Sequence, residues 1–159
     1  MRSSEWRAAA LHRDAVGPRV TSVVDPVLSA LQADEDPHCW VVWGEDPANR
    51  YTMLVPTAAG LVTVHVRVSS AGEGPRASAK VTRWGKLQVG ELAVETQSNH
   101  RLISFQVEQQ ILQAGDETGD SIARFALVLF AAIDGRPWPS FDAPAEVTTP
   151  STAGRGAGH

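Results

Sequence analysis

Between His38 and Leu112 apolar and polar residues alternate with a period of two, and no other feature constrains the fold as strongly. That period sends successive side chains to opposite faces of a strand, a pattern no helix can satisfy. It predicts six strands, at 38–43, 50–56, 61–69, 76–84, 87–96 and 101–112. The segments between them, "GEDPAN", "TAAG", "SAGEGP", "GK" and "SN", are rich in turn formers. All are short, so neighbouring strands are expected to pair antiparallel as a meander.

Parity then sets a register. A four-residue "TAAG" loop puts Val55 opposite Val62, Met53 opposite Val64 and Tyr51 opposite Val66. A turn centred on Gly72-Glu73 puts Val64 opposite Val81, Val66 opposite Ala79 and Val68 opposite Ala77. Gly85-Lys86, read as a II′ turn, puts Ala79 opposite Leu92 and Ala77 opposite Val94. Ser98-Asn99 puts Leu92 opposite Phe105 and Val94 opposite Ile103. One apolar face is thereby expected to run across every hairpin, with Trp40 and Val42 extending it, and a wrong register would scramble it. The opposite face carries Thr52, Thr63, His65, Arg67, Ser78, Lys80, Glu91, Glu95, Ser104 and Gln106, with Lys80 expected opposite Glu91 and Arg76 opposite Glu95.

Helices flank the strands. Residues 4–15 read as a short helix capped by Ser3 or Ser4, anchored by Trp6 and ended by Gly17-Pro18. A second is expected from Asp25, as cap, to about Gln32, with Pro26 in its first turn. Near the C-terminus, Ile122, Phe125, Ala126, Leu129 and Ile133 form an apolar stripe at spacings of three and four. Asp120 or Ser121 is its candidate cap, and Gly135 and Pro137 stop it. The fold expected is α+β: a six-stranded antiparallel meander with N-terminal helices and a C-terminal amphipathic helix packed on one face. Small Ala77, Ala79 and Gly90 would let that helix approach closely. In element order alone, the alternative is a curled, PH-like barrel capped by the C-terminal helix. Residues 1–138 are expected to form one domain. Residues 139–159, rich in Pro, Gly, Ser and Thr, read as a disordered tail.

Composition excludes more than it assigns. A net charge of -4 opposes a sequence-independent grip on nucleic acid. The single cysteine, Cys39, supplies neither a disulfide nor a thiolate zinc site, and fits a reducing cytoplasm. The charged N-terminus lacks the apolar core of a signal peptide, and no apolar run is long enough to span a membrane. Only Lys80 and Lys86 are lysines, and arginine with abundant alanine fits a GC-rich bacterial genome. No Gly-rich phosphate loop, H-E-x-x-H or G-x-S-x-G occurs, and the five histidines lack metal-ligand spacing. No enzyme class, metal or cofactor is signalled.

What remains points to binding. Trp43 and Trp84 fall at strand ends on the nominally polar face. Beside them Cys39, Val41, Leu54, Leu87, Val89, Ala93 and Leu102 form an apolar cluster of the kind that marks a partner surface. The first expectation is therefore a non-catalytic protein-interaction or accessory module, with a protein partner or a second copy as occupant. The second is a small-ligand carrier or sensor holding its ligand between sheet and C-terminal helix. The third is an enzyme using His65, Arg67, Lys80 and Glu91. The candidate interaction residues are Trp43, Leu54, His65, Arg67, Lys80 and Trp84.

Overall fold

The structure is a computed structural model that describes residues 18–31, 40–45, 50–68, 72 and 74–139. The expected helix over 4–15, Cys39 and the tail from residue 140 onward lie outside the described residues. The elements in chain order are α1 (Pro18–Ala30), β1 (Val41–Glu45), β2 (Arg50–Thr57), β3 (Gly60–Arg67), β4 (Arg76–Thr82), a 3-10 turn (Trp84–Lys86), β5 (Val89–Gln97), β6 (His100–Val107), β7 (Gln110–Gly115) and α2 (Asp116–Ile133).

The strands are antiparallel, as the alternation requires, but they form two sheets rather than one. The first has the order β1-β2-β3-β4 and the second β5-β6-β7. Each runs in open order, so the barrel alternative does not hold. The break falls at Trp84-Gly85-Lys86. Instead of a two-residue hairpin, the chain closes a 3-10 turn in which Lys86 and Leu87 N–H donate to the Arg83 carbonyl at 2.9 and 3.1 Å. A II′ turn needs its first central residue at positive φ, and Gly85 is not among the residues with positive φ. Side chains decide the outcome. The Trp84 indole N–H donates to the Thr57 carbonyl at 3.1 Å, and Leu87 is buried beside it. Both are drawn into a core that a continuous meander would leave outside, so β4 and β5 do not pair. Lys80 accordingly faces Thr63 rather than Glu91, and Arg76 faces Arg67 rather than Glu95.

The split creates two cores. Trp40, Val42, Met53, Val55, Val62, Val64, Val66 and Val68 occupy one face of the first sheet and pack against Val20, Val24 and Leu28 of α1. Those three stand at i, i+4 and i+8, one stripe of a helix. Pro18 opens α1, where a proline in the first turn forgoes no helical hydrogen bond. Pro26, expected at a helix start, lies inside α1. The second core joins Val41, Leu54 and Leu61, on the opposite face of the same sheet, to Ile103, Phe105, Val107 and Leu112 of the second sheet and to α2. Val41 and Val42 are neighbours that enter different cores. The first sheet is thus a middle layer, apolar on both faces along part of its length.

This arrangement corrects the expected outer patch. Val41, Leu54 and Leu87 are buried in the second core, and Trp43 and Val89 are packed against it. The C-terminal helix packs on β6 and β7, not over Ala77 and Ala79, and Ala79 is exposed. Gly90 serves a different neighbour: a Cβ there would meet the Gln106 Cβ at 2.9 Å. The helix begins one turn early, at Asp116 after the cap position Gly115, and ends where expected. Gly135, at φ 67°, donates to the Ala132 carbonyl at 3.2 Å and Arg136 to that of Ala131 at 2.8 Å, as a left-handed cap does.

Registers within the hairpins follow parity with one exception. Met53–Val64, Val55–Val62, Tyr51–Val66, Leu92–Phe105 and Val94–Ile103 pair as expected. The β3–β4 register is shifted by two residues, with Val64 opposite Ala79 and Val66 opposite Ala77. A shift of two keeps every side chain on its face. The expected strand over 101–112 is two strands joined at Glu108-Gln109, with Glu108 at φ 53°. No helix among the described residues is long and apolar enough to cross a membrane.

Candidate functional site

The face of the first sheet that supplies the second core changes character along the strands. Because antiparallel partners share a face, the register divides it into cross-strand rows. The innermost row holds Leu61 and Thr82. Next comes Val41–Leu54–Thr63–Lys80, then Trp43–Thr52–His65–Ser78, and last Glu45–Arg50–Arg67–Arg76. The sequence from core to mouth is apolar, mixed, aromatic with hydroxyls and imidazole, and charged.

The last two rows open into a cleft of about 500 Å³. Its described lining is Trp43, Arg50, Tyr51, Thr52, His65, Val66, Arg67, Arg76 and Ser78 from the first sheet and Gln110 from the start of β7. The described lining thus draws nine residues from the first sheet and Gln110 from the second. The volume lies within the range of small-ligand sites, roughly 300–1,000 Å³.

Its electrostatics are one-sided. Arg50, Arg67 and Arg76 stand on three adjacent strands, each opposite the next. With strands about 4.8 Å apart, like charges directly opposite one another oppose folding. Glu45 is the register partner of Arg50 at one end of the row, and Arg67 is that of Arg76 at the other. No carboxylate belongs to the described lining. Arg67 is half-buried and its Nη2 donates to the Gly74 carbonyl at 3.4 Å, which holds the guanidinium toward the β3–β4 connection. In the adjoining row Thr52 Oγ1 and His65 Nδ1 are 3.4 Å apart. Hydroxyl, imidazole and amide groups therefore lie beside the cationic row.

Of the residues singled out in the sequence, Trp43, His65 and Arg67 come together in this cleft. Lys80 shares the face but stands one row inward from His65, opposite Thr63. Leu54 lies within the second core. Trp84 is on the 3-10 turn, where it packs against that core and meets Trp138 edge-on at 6.2 Å. Glu91 belongs to β5 in the other sheet, so the grouping of His65, Arg67, Lys80 and Glu91 is not formed. Arg50 and Gln110 are lining residues that the sequence reading did not name, and Arg76 entered it only as the expected partner of Glu95. Arg50 has the parity of Thr52, and a β3–β4 register tighter by two residues would have placed all three arginines in one row. Gln110 carries no such signal, because its position depends on how the two sheets pack.

No family model, curated protein or solved structure matches this chain. Among the described residues no group of three or more His, Cys, Asp or Glu side chains is placed to hold a metal ion.

Proposed function

We propose that this protein is a non-catalytic binding module and that its binding site is the cationic cleft between the two sheets. The observation that carries this reading is the row Arg50–Arg67–Arg76 lining a recess of ligand size. Three guanidinium groups at one recess offer an anionic partner charge-assisted hydrogen bonds. Trp43, Thr52, Ser78 and Gln110 supply an aromatic wall and neutral hydrogen-bonding groups around it. His65 faces Thr52 and Ser78 across its row, and among the described lining residues no carboxylate stands with it, which favours recognition over acid–base catalysis.

Two features move the site away from the expected places. The apolar residues expected to form a partner patch are largely core. The space between β6–β7 and α2, where a carried ligand was expected, is filled by Phe105, Ile122, Phe125 and Leu129, each fully buried. The test is titration of the protein with sulfate, inorganic phosphate, citrate and poly-L-glutamate against chloride at constant ionic strength, followed by arginine and histidine side-chain NMR. At least one anion should shift the cleft resonances saturably, and Arg67→Ala should remove the effect. Resonances that move no more with any of these anions than with chloride would sink the proposal.

A further inference from the structure

We propose that the cleft takes a small multivalent oxyanion of the polyphosphate type, bound across the strands along the arginine row. This deepens the reading of the cleft as a binding site and rests on it. Three features of the row select the ligand class. The first is spacing. Arg50, Arg67 and Arg76 lie on three successive strands, so their backbones span about 10 Å across the sheet. One small monovalent anion leaves much of the charge and many of the donors of three guanidinium groups unused, whereas a short chain of linked anionic groups can use them all.

The second feature is the residue type. All three are arginine, in a row that includes no lysine. A guanidinium presents a planar fork that matches two oxygens of one phosphoryl group. The third is the neighbouring row. Thr52, His65 and Ser78 stand two residues inward on the same three strands. A phosphoryl group has more oxygens than one guanidinium can satisfy, and hydroxyl and imidazole donors on the inner side can take the remainder. Gln110 adds an amide from the second sheet. Trp43 closes the inner row at β1, where a flat apolar substituent on the anion would meet an aromatic face.

The experiment is calorimetric titration of the full chain with inorganic phosphate, pyrophosphate and tripolyphosphate, with citrate and poly-L-glutamate in parallel, at fixed ionic strength. Affinity should rise from phosphate to pyrophosphate to tripolyphosphate and exceed that for citrate. Arg50→Gln and Arg76→Gln should each weaken pyrophosphate binding about tenfold, the scale of one charge-assisted hydrogen bond. Both arginines are exposed, and circular dichroism of each variant verifies that the fold is kept. Phosphate binding as tightly as pyrophosphate would overturn the inference while leaving the cleft a binding site. Citrate or poly-L-glutamate binding more tightly than any phosphate would do the same, and would assign the cleft to carboxylates or to an acidic polypeptide. Failure of every anion to bind would overturn the inference and the proposed function together.

Discussion

Replacing Arg76 by glutamate should make this protein more stable. Arg76 is exposed and faces Arg67 directly across the β3–β4 pair. A favourable charge pair across strands contributes about 0.2–1 kcal/mol, and a like-charge pair opposes folding by a similar amount. Arg76→Glu reverses the sign, so the full swing is about 0.4–2 kcal/mol. Solvent screening of partly exposed groups pulls the expectation to about 1 kcal/mol. For a chain of this size that is a rise in Tm of about 2–5 °C. Arg76→Gln, which removes the repulsion without adding an attraction, should give about half. Thermal unfolding followed by circular dichroism at 20 mM and 1 M NaCl is the assay. At 1 M salt the screening length falls to about 3 Å, and most of the gain should vanish. A Tm for Arg76→Glu at or below that of the unaltered protein in low salt would refute the reasoning. It would mean that the pairing of Arg67 with Arg76 does not oppose folding.

Other perturbations test the scaffold that holds the cleft. Gly60 has φ 155°, and a Cβ there would lie 2.2 Å from the Thr82 carbonyl oxygen; Gly60→Ala should therefore cost about 2 kcal/mol or more in urea unfolding. Phe125 is fully buried in the second core and Leu28 is 3% exposed in the first. Phe125→Ala should cost about 3–5 kcal/mol and Leu28→Ala about 2–5 kcal/mol, and tryptophan fluorescence and far-ultraviolet dichroism should still report one transition in each variant. Trp84→Phe keeps an aromatic ring but loses the donor to the Thr57 carbonyl, which should lower stability by about 1 kcal/mol in the same urea assay. Arg101 and Asp120 pair at 2.9 Å but both are exposed, so Asp120→Ala should change Tm by less than about 3 °C.

The strand-rich, antiparallel character and most local pairings were legible because period two fixes a face and a short turn fixes a register. Ser98 and Asn99, both at positive φ, form the tight turn their residue types announce. The hairpin at Glu108-Gln109 was not legible, since neither residue is a usual turn former and the alternation continues through it. The partition into two sheets was hidden for a different reason. Gly85-Lys86 has the composition of a hairpin turn, and only the packing of half-buried Trp84 and buried Leu87 on a core assembled from distant strands decides against it. Local sequence cannot report that contest. The cleft inherits the same limit: Trp43, His65 and Arg67 could be placed on one face, whereas Gln110 reaches it only through the packing of one sheet on the other. Expectations for Cys39, the first helix and the tail fall outside the described residues.

The rows on the inner face of the first sheet bear on how such a protein can change over generations. Leu61, Val41 and Leu54 hold the second core, while positions 50, 67 and 76 lie at the far end of the same strands and belong to neither core. If the cleft binds as proposed, substitutions in that outer row would change the charge it presents while α1, α2 and both cores stay in place. The cost to folding would be on the scale of one cross-strand charge pair, about 1 kcal/mol, and not that of a core side chain. The groups that would meet a ligand and the groups that hold the chain together stand on the same strands at different heights.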